Sequence, residues 1–93
     1  MKVRARKHPA DLAVELVDTA LTFAARRPLF TRDEAVELLH GVLVKLDDPE
    51  IESALAPIVD GAETRYAAIR LVERASIVDS LLDMRLALDV RSA

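Results

Sequence analysis

The sequence predicts an all-α fold, a small four-helix domain built from an N-terminal helical hairpin, a short third helix and a long C-terminal helix through which it dimerises. Three observations carry this. Alanine, leucine and valine supply most of a 52% hydrophobic content, while aromatics are 3%, a balance that favours helices over sheets. Two glycines and four prolines in 93 residues leave little punctuation. Apolar residues recur at helical spacing through most of the chain beyond residue 8. A chain of this length makes one domain, large enough for a single core to suffice without staples.

Residues 1–8 show no period and read as a flexible basic arm ahead of one helical domain over 9–93. Helix 1 begins at Pro9, where a missing N–H costs nothing, with Asp11 near the positive helix end. Asp11, Glu15 and Asp18 mark its wet face; Leu12, Leu16, Val17, Ala20, Leu21 and Phe23 or Ala24 mark the buried one. Arg26, Arg27 and Pro28 end it. Helix 2 starts at a capping box, Thr31-Arg32-Asp33-Glu34, and carries the stripe Ala35, Leu38, Leu39, Val42, Leu46. Asp47 or Asp48 caps helix 3, with Pro49 as its first residue. Pro57 lies too deep to be neutral and predicts a kink or an early end.

Asp60-Gly61-Ala62-Glu63 has the form of another cap, so helix 4 is expected to run from about Gly61 to about Val90, on the order of 45 Å. A continuous helix is preferred, because no glycine or proline intervenes; the alternative is a break at Ser76, since Ser76-x-x-Asp79 also reads as a cap. One echo appears: "DLAVELVDTAL" from Asp11 and "DEAVELLHGVL" from Asp33 agree at six of eleven positions. Recurrent amphipathic composition explains it, and no third copy follows to make a solenoid.

Helix 4 is apolar on two sides. At 100° per residue, Ala68, Leu71, Val72, Ala75, Val78, Leu82 and Leu86 share one face, and Ile77, Leu81, Met84 and Leu88 lie nearly opposite. The first stripe is expected to pack on helices 1–3. The second, left wet, would forgo ~1.5–3 kcal/mol per side chain. A strip of that kind marks a protein contact, and a two-fold dimer through Ile77, Leu81, Met84 and Leu88 is its simplest cover; a central helix buried within one subunit is the competing account.

Other function classes find little support. With no cysteine there is no disulfide or thiolate metal site, which fits a cytoplasmic protein. No apolar run approaches membrane-spanning length, and acids interrupt the stretch behind the basic start that a secretory signal would need. Arginine exceeds lysine 10 to 3, a bias common in bacteria of high GC content. His40 with Glu37 has the Glu-x-x-His spacing of di-iron bundles, but the chain has two histidines and Glu37 belongs to the wet face, so a surface pair is the expectation. The acids of "LDDPEIE" suit a helix start better than a calcium loop. No serine sits in a nucleophile elbow and no glycine loop cradles phosphate. Catalytic, cofactor and metal residues are therefore none.

The net charge of −3 hides a division: Lys2, Arg4, Arg6 and Lys7 give the arm +4, leaving −7 for the remainder. A helix-turn-helix over helices 2 and 3 fails, because "PEIESALAPIVD" would bring three acids and no base to the phosphates. The reading is a non-enzymatic interaction module, such as a small adaptor, scaffold or regulatory subunit, that self-associates through its C-terminal helix and has room for a further protein partner. The alternative is weak, sequence-independent nucleic-acid association through Lys2, Arg4, Arg6 and Lys7.

Overall fold

In the computed structural model the described residues are 9–92. The basic arm, with Lys2, Arg4, Arg6 and Lys7, lies outside them. Four helices are joined with two very short strands: α1 (Pro9–Ala24), β1 (Leu29–Thr31), α2 (Arg32–Val44), α3 (Pro49–Tyr66), β2 (Leu71–Glu73) and α4 (Arg74–Ser92). The helical class and the count of four hold, and a minor antiparallel strand pair is added to them.

The starts of α2 and α3 form as their sequences dictate. Thr31 N–H donates to Glu34 Oε1 at 2.9 Å and Glu34 N–H donates to Thr31 Oγ1 at 3.1 Å, the reciprocal capping box. Asp48 Oδ1 accepts from the Glu50 and Ile51 amides, with Pro49 at the first turn. Pro57 does not end α3, which continues for nine further residues to Tyr66.

The second half differs from the expectation. The long fourth helix is two helices. Gly61 lies inside α3, the Asp60–Glu63 cap does not form, and the chain turns at 67–70 before entering β2. The break falls neither at Gly61 nor at Ser76. No glycine or proline marks it, and no described residue takes a positive φ. What fixes it is tertiary. Phe30 pairs with Val72 in an antiparallel register, Leu29 with Glu73 and Thr31 with Leu71. Phe30 and Val72 are each 1% exposed while their neighbours along the strands face solvent. The extended segment is thus selected by burying one side chain per strand and satisfying the backbone across the pair.

The two halves are copies of one helix–strand–helix unit, displaced by 42 positions. Val17-Asp18-Thr19-Ala20-Leu21-Thr22 corresponds to Val59-Asp60-Gly61-Ala62-Glu63-Thr64. The buried residues Ala13, Val17, Ala20, Ala24, Phe30, Ala35, Leu39 and Val42 correspond one for one to Leu55, Val59, Ala62, Tyr66, Val72, Ile77, Leu81 and Met84. Hydrogen bonds repeat as well. Arg32 N–H donates to Arg70 O at 3.3 Å and Arg74 N–H to Pro28 O at 3.0 Å. Arg32 Nη1 donates to Ala67 O at 2.8 Å and Arg74 Nη1 to Ala25 O at 3.3 Å. Each half therefore clasps the other's turn. The echo between helices 1 and 2 is not the structural repeat; that repeat relates α1 to α3 and α2 to α4.

Packing follows from this pseudo-symmetry. α1 lies most extensively on α4, and α2 on α3. One buried apolar cluster draws on all six elements. Ile77, Leu81 and Met84 are completely buried in it and Leu88 is 1% exposed. These four were expected at an intermolecular interface; they are core of a single subunit, and that assignment is corrected. Of the stripe expected inside, Val72 is buried and Val78 packs against the core, while Leu71, Leu82 and Leu86 are exposed. The orientation of α4 is set by Val72 entering the core just before its start, which turns Ile77, Leu81, Met84 and Leu88 towards α1 and α3.

Candidate protein-binding surfaces

The stripe expected to be inside is largely outside. On α4, Leu82, Leu86 and Val90 are 49, 62 and 68% exposed, one helical turn apart in sequence and so on one face. Asp79 and Asp83 share that face and Asp89 borders it; all three are exposed. On the side towards α1, Arg85 Nη1 pairs with Asp18 Oδ1 at 2.6 Å, which holds α4 against α1 and leaves the Leu82–Val90 strip uncovered.

A second apolar feature is a groove of about 780 Å³ between α1 and α2. Leu16, Ala20 and Phe23 line it from α1, and Leu38, Gly41 and Val42 from α2, together with the polar Glu37 and His40. Phe23 is half exposed and Val44, at the groove's far end, is 75% exposed. Arg27 stands at one end, stacked 4.4 Å from the Phe30 ring centroid and paired at 3.0 Å with Glu34. Lys45, the C-cap of α2, stands at the other. Glu34 has its carboxyl held below the ordinary glutamate range, first by the Thr31 backbone N–H and then by hydrogen bonding to Arg27. In the second half Arg65, the counterpart of Phe23, sends Nη2 to Ser80 Oγ at 3.2 Å, and Tyr66 O–H donates to Ser76 O at 3.2 Å.

Residues weighed for chemistry do not assemble. His40 Nε2 lies 3.3 Å from Glu63 Oε2 on α3, so its acidic neighbour is on another helix and is not Glu37. Among the described residues no three His, Cys, Asp or Glu side chains gather to hold a metal ion. Here the turn before Glu34 offers Ala25, Arg27, Pro28 and Leu29, and the turn before Ser76 offers Ala67, Ile69 and Leu71; neither is a cage for a hard cation. Among the described residues no helix is long and apolar enough to cross a membrane.

Charge is segregated. The end of the domain that carries the strand pair, residues 23–34 and 65–76, holds six arginines and three acids. Over the remaining residues of 9–90, thirteen acids face only Lys45 and Arg85. α3 carries Glu50, Glu52, Asp60 and Glu63, so it presents acid where a DNA-reading helix needs base.

Sequence reasoning missed the groove and named the wrong face of α4. Gly41 was the available signal for the first: a glycine inside a helical stripe that no turn demands. No family model matches the chain, and no curated protein or solved structure is similar enough to stand as a relative.

Proposed function

We propose that the chain is a non-enzymatic protein–protein interaction module, a small adaptor, scaffold or regulatory subunit, that self-associates through the outer face of α4. The observation that carries this is the strip Leu82, Leu86, Val90 on a helix whose opposite face already fills the core. Contiguous apolar strips on a small domain mark contacts with other proteins.

The strip sets the expected strength. Each of the three side chains has roughly half its surface left to bury, which contributes about 1 kcal/mol apiece. A two-fold dimer uses the strip twice, on the order of 6 kcal/mol, before any gain from the surface that receives it and against the cost of association. Dimerisation in the micromolar range or weaker follows, since ~8 kcal/mol corresponds to a micromolar Kd. Light scattering over a concentration series tests it. The mass should rise from 10.2 kDa towards twice that value, and the pair Leu82→Glu, Leu86→Glu should stay at the single-chain mass with unchanged helicity. A wild-type mass that stays at one chain into the millimolar range contradicts self-association.

A further inference from the structure

We infer that the chain can exchange halves: the helix–strand–helix unit of one copy, residues 9–44, seats on the unit 49–92 of a second copy, and the reciprocal pair closes a two-chain form. The outer strip of α4 takes no part in this exchange, so it goes beyond the self-association reading and does not depend on it.

Pseudo-symmetry is the first argument. The contacts that complete each half come from the other half. α1 lies on α4 and α2 on α3, and Phe30 faces Val72 across the strand pair. Arg32 and Arg74 reach the opposite turns at Ala67 O and Ala25 O. Within the first half, by contrast, a groove of about 780 Å³ lies between α1 and α2, and these helices touch each other less than either touches its partner in the second half. A half alone leaves its inner face bare. Any second half, from its own chain or another, carries the matching face.

The connection is the second argument. Residues 45–48 alone join the two units. Arg32 lies opposite Ala67 and His40 opposite Glu63, which sets α2 and α3 antiparallel. From Arg32 to Val44, α2 rises about 18 Å, and from Tyr66 back to Pro49, α3 runs about 26 Å. α3 therefore begins about 8 Å beyond the end of α2. With the axes 8–10 Å apart, the connection covers about 12 Å, and its five Cα–Cα steps reach about 17 Å. It is an open span and not a tight turn, and no described residue in it takes a positive φ. The same four residues can bridge two copies. A short tether presents a half to its own mate at an effective concentration of about a millimolar, so a second copy competes when the chain is that concentrated. The core contacts are identical in the two forms, and passing between them requires the halves to separate. Exchange therefore takes place during refolding, and a chain that is already folded keeps its arrangement.

The experiment reads the strand pair. Leu29 and Glu73 face each other on its exposed side, next to the Arg74–Pro28 hydrogen bond. Their Cα atoms thus stand about 4.5 Å apart, within disulfide reach, and the chain has no cysteine of its own. Leu29→Cys and Glu73→Cys chains, unfolded together in urea and refolded at about 1 mM, the tether's effective concentration, should form a 29–73 disulfide between unlike chains on mild oxidation. Refolding at about 10 μM should cut that yield by on the order of tenfold or more, because the tether then outcompetes the second chain. The same two proteins folded separately and then mixed should give little of it. Deleting residues 45–47 leaves Asp48 alone between the helices, too short for the span, and should make the two-chain form obligatory with unchanged helicity; the cross-link decides the matter if the shortened chain does not fold. A yield no higher than from the separately folded proteins overturns the inference, as does a shortened chain that folds as a single chain. Adding Leu82→Glu and Leu86→Glu to both cysteine chains should leave the yield unchanged. A yield that falls to the separately folded level shows that α4 brought the thiols together, and this inference then falls while self-association stands. A wild-type chain that stays at single-chain mass under native conditions but cross-links after co-refolding removes self-association and leaves the exchange of halves.

Discussion

Leu81 and Leu82 are adjacent in sequence and opposite in role, and truncating each to alanine separates the two faces of α4 quantitatively. Leu81 has no exposed surface and sits in the core with Leu39, its counterpart in the other half; Leu82 is 49% exposed. Leu81→Ala loses the transfer free energy of a fully buried side chain and leaves a cavity that close-packed neighbours only partly fill, about 3–5 kcal/mol. Over its 84 described residues the domain has a stability of about 4–13 kcal/mol, so the variant is marginal or unfolded at 37 °C, with a Tm lowered by on the order of 15 °C or more. Leu82→Ala removes atoms that are half in water already and costs ~0.5 kcal/mol or less in the isolated subunit. Urea unfolding at low protein concentration, followed by circular dichroism, gives both values from midpoint shifts at constant slope. Equal losses, or a larger loss for Leu82→Ala, would refute the orientation of α4. The same reasoning turns Leu81→Glu, which an interface at Leu81 would make a stable monomer, into an unfolding substitution.

Further outcomes follow from individual contacts. Thr31→Ala removes the oxygen that accepts the Glu34 amide and should destabilise by ~1 kcal/mol, read from the same urea curves. The lowered pKa of Glu34 means its carboxylate favours the folded state; that contribution is complete above the unfolded-state pKa and disappears as pH falls through the lower folded value, so Glu34→Gln should flatten the acid limb of a stability–pH profile. Gly41→Ala should raise single-subunit stability by ~0.5–1 kcal/mol, since no backbone need or contact opposes the added methyl. Replacing Arg32 or Arg74 by methionine should each cost ~0.5–1.5 kcal/mol and speed hydrogen exchange at the Phe30 and Val72 amides, because each guanidinium ties one half to the other's turn.

What the sequence made legible is what local chemistry decides. Pro9, the Thr31–Glu34 box and Asp48-Pro49 placed three of four helix starts, because capping needs only neighbouring residues. The turn at 25–28 was visible through Pro28. Its counterpart at 67–70 was not, since Ala67-Ala68-Ile69-Arg70 contains no residue that refuses a helix, and the extended conformation there is imposed by β1 from forty positions away. Once that break was missed, the rotation of α4 could not be found: two apolar stripes are symmetrical to a periodicity argument, and only the entry of Val72 into the core distinguishes them. Pro57 shows the opposite failure, a strong local signal overridden because α3 is held by packing on both sides of it. The groove was hidden for a different reason. It lies between α1 and α2, and no spacing within either helix records a separation between them.

One face of α4 is sealed within its own subunit, and we propose that the other is open until a second copy covers it. The chain has no cysteine, so single thiols introduced by Leu81→Cys and by Leu86→Cys report on the two faces without background, and their native-state labelling rates over a concentration series test this most directly. The thiol at 86 should react rapidly in dilute solution and progressively more slowly as the chain is concentrated; the thiol at 81 should react only at the rate of unfolding, whatever the concentration. Rapid labelling at 81, or a thiol at 86 already shielded in the most dilute sample, would contradict it.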